Sequence, residues 1–290
     1  MLSFLPAIKR RYDLAKVPLC LLIGCSTVFG YILADPVVSP RTFFAGCGIF
    51  VIAAGAATLN SLQEYRLDGE LQRTRNRPLP QGLLTPVEAG VQALVLLFIG
   101  LGILFTASWT LLPTLVAVCA VVLYNGVYTP LKKKTVLAII PGAICGSLPP
   151  YIGWLGGGGK AVGFTAALLI VLFVLWQVPH FWLVLLTFKE DYARSDLPNF
   201  LKQFREDSLK RFFATWISAL VTIMLMFLIL PFPLGWSFRA IIIGNACLLL
   251  GAFLYGLAIR KMSDYRLLFI VLNLALFLHM AALAAGRALA

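Results

Sequence analysis

Charge is scarce in this chain. Of 290 residues, 24 are Lys or Arg, 12 are Asp or Glu and 2 are His, while 60% are hydrophobic and the mean hydropathy is +0.91. Soluble domains devote about a quarter of their residues to charge, so this composition excludes one and points to a bilayer as solvent. The six cysteines, Cys20, Cys25, Cys47, Cys119, Cys145 and Cys247, stand singly inside apolar runs. With neither CxxC pairs nor zinc-ligand spacing they exclude a zinc ribbon and a dithiol redox centre, and they are expected to be small buried hydrophobes. A cleavable leader is also missing by pattern. The basic start Ile8-Lys9-Arg10-Arg11 leads into an apolar stretch too long for a signal-peptide core and without a clear small-residue cleavage site, so the first span is expected to be retained.

What the sequence has instead is long hydrophobic runs. Stretches of about 20 residues, enough to cross a bilayer, fall at 14–34, 42–65, 88–107, 109–127, 135–155, 162–187, 211–231, 238–259 and 265–288. The expected fold is all-α: a polytopic membrane protein of nine transmembrane helices forming one domain over 1–290, with a tight hairpin at Ser108-Trp109. With a cytoplasmic N-terminus, only Arg41, Lys160, Arg239 and Arg287 fall outside, leaving the other 20 of the 24 basic residues in cytoplasmic segments. That bias follows the positive-inside rule and fixes both span count and orientation, so the inner (cytoplasmic) membrane is the expected location. It also explains the net charge of +12 by topology, and nucleic acid is not an expected partner. The acidic residues other than Asp35 share that side, which topology does not require. Something on that face needs carboxylates.

The densest polar stretch is 60–80, which holds Glu64, Asp68 and Glu70 together with Arg66, Arg73, Arg75 and Arg77. Asn60, Glu64 and Asp68 recur every four residues and therefore stack on one helix face. Three oxygen-bearing side chains so placed suit a hard cation such as Mg²⁺, which keeps some waters and is shared with substrate phosphates. The arginines beyond offer planar donor forks for those phosphates. A solvated, charged helix end would give the same local pattern, so the stretch alone does not decide.

A second long cytoplasmic connection decides more. Residues 188–210 match 66–87 in length and role, and Lys189-Glu190-Asp191-Tyr192-Ala193-Arg194-Ser195-Asp196 again puts carboxylates near a helix end. The two loops sit at similar points in the two halves of the chain, as a weak internal repeat would place them. Two acidic clusters beside basic residues on one membrane face suit a diphosphate, bridged by Mg²⁺ and gripped by Arg or Lys. An apolar chamber below would take an isoprenoid tail, and aromatic faces there would stabilise the allylic cation left by the departing diphosphate. The residues thus point to an enzyme that ionises a prenyl diphosphate.

Asn60-xxx-Glu64-xxx-Asp68 followed by Arg73-Thr74-xx-Arg77-Pro78-Leu79 resembles the NDxxDxxxD and RTxxRPL signature of the UbiA-type intramembrane prenyltransferases. Three further stretches resemble the branch that farnesylates heme, the protoheme IX farnesyltransferases (heme O synthases): Tyr128-Thr-Pro-Leu131-Lys132-Lys133-Lys134-Thr135, Gly142-Ala-Ile-Cys-Gly146-Ser-Leu-Pro149-Pro150-Tyr-Ile-Gly153-Trp154, and Trp176-Gln177-Val-Pro179-His180-Phe181-Trp182 running on to Asp191-Tyr192. The resemblance covers roughly residues 10 to 285. It implies nine helices around a central cavity, with Asn60, Glu64 and Asp68 on one side of a Mg²⁺-diphosphate and Asp191 on the other, helped by Glu190 or Asp196. Arg73, Arg77 and Lys132 would contact diphosphate oxygens, with Tyr128 and Trp176 also at the substrates. The implied partners are farnesyl diphosphate, heme b and the lipid bilayer, with heme or oxidase assembly proteins downstream.

Of the two histidines, His180 lies in that motif and is a candidate axial ligand for heme iron or, equally, a hydrogen-bonding group between helices. His279, with no motif around it, is expected to be structural. The chain departs from the heme-branch pattern at Glu64 and Arg66, where Asp is usual, at Ser195–Leu201, and at Lys16-Val17-Pro18, which stands for Lys-Pro-Arg. Arg66 would reverse a charge beside the metal, and these departures leave open a UbiA-type transferase acting on another acceptor such as a quinone-precursor ring. Internal repeats and polar residues in helices also occur in transporters, which leaves a polytopic transporter as a further reading.

Overall fold

The computed structural model describes residues 4–108, 110–190, 198, 206–258 and 265–289. Among them are no strands and nine helices long and apolar enough to cross a membrane. A short helix α1 (Phe4–Leu14), not expected from the hydrophobic runs, precedes the first span. The spans are α2 (Val17–Ala34), α3 (Pro40–Glu70) and α4 (Pro86–Ser108), then α5 (Leu111–Val121), which passes through a π-helical segment Val122–Tyr128 into the short α6 (Thr129–Leu131). A 3₁₀ turn Val136–Ala138 opens α7 (Ile139–Gly156), followed by α8 (Phe164–Thr187), α9 (Glu206–Met226), α10 (Trp236–Ala258) and α11 (Tyr265–Ala288). Among the described residues the span count is thus the one that the charge distribution demanded, with α4 ending at Ser108 and α5 beginning at Leu111; Trp109 of the expected hairpin lies outside the described residues.

One boundary differs in a way that matters. The apolar run of the second span ends near residue 65, but α3 continues to Glu70, 31 residues in all. At about 1.5 Å per residue that is about 46 Å, well beyond the roughly 30 Å of a hydrocarbon core. Hydrophobicity marks where the bilayer ends, whereas helical hydrogen bonding continues until a residue leaves it, here Leu71 with φ −90° and ψ 129°. The polar end of α3 is thus a rigid rod, and Asn60, Glu64 and Asp68 share its one face. Its start is fixed by Ser39 and Thr42, which form a capping box, with Pro40 in the first turn.

Helix packing in the first half relies on small residues. A Cβ on Gly48 would lie 2.8 Å from the Leu104 backbone nitrogen, and one on Gly100 2.7 Å from that of Ile52, so α3 and α4 touch backbone to backbone. Gly30 and Gly153 do the same between α2 and α7, where a side chain would run into the carbonyls of Pro150 and Thr27. In lipid this close approach replaces the hydrophobic drive that water supplies elsewhere. The second half interlocks large side chains instead, with Phe213, Phe227 and Phe253 fully buried among Leu, Ile and Met.

The outer surface is apolar, with Leu22, Phe98 and Leu248 exposed. Four of the six cysteines share it: Cys25, Cys47, Cys119 and Cys247 are exposed, Cys145 is half-buried and only Cys20 is buried. The expectation that all six are buried fails because acyl chains solvate a small apolar thiol as well as a protein core does.

Candidate active site

The polar end of α3 builds one wall of the site. Asn60, Glu64 and Asp68 are all buried. Asn60 Nδ2 donates to Glu64 Oε2 at 3.0 Å and to Thr129 Oγ1 at 3.1 Å, while its Oδ1 accepts from Lys16 Nζ at 2.9 Å. Lys132 Nζ lies 2.7 Å from Glu64 Oε2, and Arg77 Nη1 lies 2.7 Å from Asp68 Oδ2. Three cations thus converge on two carboxylates and an amide. Glu64 Oε1 is buried with no hydrogen-bond partner among the described residues.

Local sequence explains how each cation arrives. After α3 the chain doubles back because Thr74 Oγ1 donates to the Asp68 carbonyl at 2.8 Å, and because Leu79 packs with Leu14, Leu84 and Ala89. That fold-back returns Arg77 to Asp68. Lys132 is delivered by the π-helical segment. Pro130 has no N–H to give to the carbonyl of Asn125, and Gln63 Nε2 takes that place at 3.0 Å. Asn125 Nδ2 in turn donates to the Ala56 carbonyl at 3.0 Å and to Gln63 Oε1 at 3.2 Å, locking this span to α3. Tyr124 and Tyr128 stack with centroids 5.6 Å apart, and Lys132 Nζ sits 5.3 Å from the Tyr128 ring.

Lys16 adopts φ 52°, ψ 45°, the only positive-φ residue other than glycine among the described residues. An L side chain there costs about 1 kcal/mol, and such strain clusters at functional sites. Burial, then the neighbouring Arg77 and Lys132, push its pKa down to about 8. Sequence reading noted Lys16 only as part of a departure from the family pattern. Its signal is tertiary, the hydrogen bond to Asn60.

A cavity of about 830 Å³ opens beneath this cluster. Lys16, Asn60, Glu64, Asp68, Arg73, Arg77, Tyr128 and Lys132 line its polar part, and Trp176 and His180 of α8 line an aromatic part of the same cavity. Leu19 and Leu22 of α2 and Leu274 and Phe277 of α11 line it too and are themselves exposed, so it reaches the outer surface of the bundle there. His180 packs between Trp176 and Phe269, with centroids 4.6 and 4.8 Å away, and its Nδ1 lies 3.0 Å from Asn273 Oδ1. The interhelical hydrogen bond weighed for His180 is therefore present, and the ring also lines the cavity. His279 is fully buried against Phe227 and does not line the cavity.

The remaining candidates separate. Arg73 is exposed at the rim with its guanidinium 5.2 Å from the Phe188 ring. Glu190 is exposed and is not part of the cavity wall. Asp191 and Asp196 lie outside the described residues, although Pro198 of the same connection lines the cavity. Arg66, the residue that argued against the heme branch, is exposed over the Tyr65 ring and does not line the cavity. One position along α3 from Tyr65 and two from Glu64, it stands on a different face from the 60–64–68 stack, so its charge does not enter the site.

Among the described residues no group of three or more His, Cys, Asp or Glu side chains can hold a metal alone. The donors present are hard oxygens, two carboxylates and an amide, one of them the orphaned Glu64 Oε1. Such a set fits a cation that completes its shell with water and phosphate.

The fold and this cavity define an intramembrane prenyltransferase: residues 23–280 match the UbiA prenyltransferase family, and the chain belongs to it. Within that family it is similar to the protoheme IX farnesyltransferase of Geobacter sulfurreducens, 42% identical over 182 residues that cover 63% of this chain and 67% of the relative. The protoheme IX farnesyltransferase of Nitratidesulfovibrio vulgaris strain DP4 is 33% identical over 241 residues, 83% of each chain. In structure the chain resembles a digeranylgeranylglyceryl phosphate synthase with a TM-score of 0.78 at 16% identity, covering 98% and 99% of the two chains. A UbiA homolog from Archaeoglobus fulgidus bound to DMAPP and Mg²⁺ superposes with a TM-score of 0.64 at 16% identity, covering 97% and 100%.

Proposed function

We propose that the protein transfers a farnesyl group from farnesyl diphosphate to a vinyl group of heme b, giving heme o. The observation that carries this reading is a single cavity joining a cation-and-carboxylate cluster to an aromatic wall that holds His180. Kinship with protoheme IX farnesyltransferases supports the acceptor, and the position of Arg66 outside the site removes the main objection to it. The transporter reading loses its ground, since this is a family of enzymes and the polar groups sit at one end of the cavity.

Asn60, Glu64 and Asp68 would hold Mg²⁺, with Asp191 and Asp196 opposite them, so that the connections 66–87 and 188–210 form the diphosphate site together. Bound Mg²⁺ supplies charge neutralisation on the diphosphate leaving group. Arg77 and Lys132 exchange their carboxylate partners, and Lys16 its Asn60 amide oxygen, for phosphate oxygens, and Arg73 closes the rim. The C–O bond breaks with its electron pair on diphosphate, leaving an allylic cation before the faces of Tyr124, Tyr128 and Trp176. The vinyl π electrons attack that cation, water adds to the resulting carbocation, and loss of a proton gives the hydroxyethylfarnesyl group. The apolar opening between α2 and α11 lets both lipophilic substrates enter from the bilayer. The orientation is with the α3 polar end on the cytoplasmic side of the inner membrane, where the basic loops lie, and products pass to heme or oxidase assembly proteins.

The test is to incubate purified protein in detergent with heme b, farnesyl diphosphate and Mg²⁺ and to look for heme o by mass spectrometry. Its absence, alongside prenylation of a hydroxybenzoic acid, would establish the quinone-precursor reading instead.

A further inference from the structure

The aromatic end of the cavity contains a hydrogen-bond chain whose direction is fixed by chemistry. Asn273 of α11 donates from Nδ2 to the Phe269 carbonyl at 2.5 Å. A carbonyl only accepts, so the amide cannot be turned round without setting two acceptors against each other. Asn273 Oδ1 therefore faces the Nδ1 of His180 on α8, 3.0 Å away. An amide oxygen also only accepts, so the proton between them belongs to His180 Nδ1. In the neutral ring this leaves Nε2 with its lone pair.

The rest of the surroundings agree. Trp176 and Phe269 pack against the two sides of the imidazole and restrict its rotation. Both His180 and Asn273 line the cavity. Among the described residues, the other side chains of α8 and α11 that line the cavity, Phe173, Trp176, Gln177, Phe277 and Met280 among them, carry no charge. A ring held as the Nδ1–H tautomer by an oxygen acceptor is the arrangement that metal-binding histidines use: the second nitrogen's hydrogen bond sets both ring orientation and donor strength.

We infer that Asn273 is a positioning residue that holds His180 with its Nε2 lone pair available to the central metal of the porphyrin acceptor, and so sets how the macrocycle sits relative to the diphosphate end. The inference rests on the proposed heme acceptor. It extends that reading by separating recognition of the metal from recognition of the macrocycle. Local sequence gives no sign of it, because Asn273 lies 93 positions from His180 in a span without polar neighbours.

The experiment measures binding of three probes to detergent-solubilised protein by absorbance titration: ferric protoporphyrin IX, zinc protoporphyrin IX and metal-free protoporphyrin IX. For Asn273→Leu, affinity for the two metalloporphyrins is expected to fall by about 10- to 100-fold, the usual effect of removing a metal-bound histidine's second hydrogen-bond partner. Affinity for the metal-free ring stays within about threefold of wild type, because its contacts are unaffected. His180→Ala removes the metal preference altogether and shifts the ferric Soret band. Asn273→Asp retains metalloporphyrin binding within about threefold, because one carboxyl oxygen still accepts from Nδ1 and the other, protonated, donates to Phe269.

Equal weakening of all three probes by Asn273→Leu would overturn the inference, since that is the signature of a distorted pocket. Unchanged binding of all three would overturn it as well. Either result, with heme o still formed by the wild type, leaves the proposed function standing. Failure of the wild type to bind any porphyrin while it prenylates a hydroxybenzoic acid removes the proposed function itself, and the inference with it.

Discussion

The two ends of the cavity are built by opposite means. At the polar end, Asn60, Glu64 and Asp68 come from consecutive turns of one helix, and of the cations that meet the carboxylates Arg77 arrives on a short fold-back and Lys132 on a separate π-helical span. At the aromatic end no two of His180, Asn273 and Phe269 are useful without contact between α8 and α11. The polar end is an electrostatic device with matched charges already paired and ready to change partners. The aromatic end is a packing device whose single polar chain fixes one ring. On the proposed reaction, a diphosphate head and a carbocation would draw on both, the carboxylates through a bridging cation at the leaving group and the π faces at the allylic cation.

The comparison breaks most completely if the metal is withheld. Chelation of divalent cations should abolish heme o formation and readdition of Mg²⁺ restore it, while binding of metal-free protoporphyrin at the other end stays unchanged. Retention of turnover in excess chelator, read by mass spectrometry, contradicts an oxygen-donor metal site. Next in size, Asp68→Ala should lower kcat/KM for farnesyl diphosphate by about 100- to 1,000-fold, the scale of losing one charge-stabilising group. On the proposed site it would lose a metal donor and leave Arg77 without its Asp68 partner, and a drop under about tenfold would place the metal elsewhere.

Lys132→Met should cost about 100-fold in the same assay, and the cost should appear with any porphyrin acceptor, since the role proposed for Lys132 is at the diphosphate. A smaller effect comes from pH. Lys16 is a cation below its pKa of about 8 and loses its charge as pH rises through that value, because burial and then Arg77 and Lys132 lower it. As kcat/KM reports the free enzyme, it should fall by about tenfold between pH 7 and pH 9 if the charged form carries the activity. In Lys16→Met the level at pH 7 should be lower and this limb absent. A wild-type profile flat across pH 8 would show that Lys16 has no charge role. Smallest of all, Arg66→Asp should change kcat/KM by less than about twofold, as expected of an exposed side chain away from special contacts. A large effect would mean that α3 presents that face to substrate after all.

Legibility in the sequence follows the same division. Hydrophobic run length and charge asymmetry gave nine spans because lipid and water impose one-dimensional rules on the chain. The α3 cluster was readable because helical spacing converts sequence distance into a shared face. Arg66 was misjudged for want of that same rule: adjacency to Glu64 and Asp68 in sequence is not adjacency on a helix. Gln63, Thr129 and Asn125 were missed because their function is to bond with another span, Gln63 and Asn125 as donors and Thr129 as acceptor, and local sequence gives no sign of which helix a polar side chain will meet. Cysteine exposure was misread by carrying over a rule made for water.

The sequence by itself determined that this protein lives in a bilayer, how many times it crosses, and that one helix end presents an oxygen-rich face beside arginines, since each of these depends on local periodicity or on composition. Only the tertiary structure decided that Lys16 reaches Asn60, that Pro130 leaves a carbonyl for Gln63, that Arg66 stays out of the site, and that Asn273 orients His180. Those depend on how segments far apart in the chain pack together, and no property of a single helix specifies its neighbour's register.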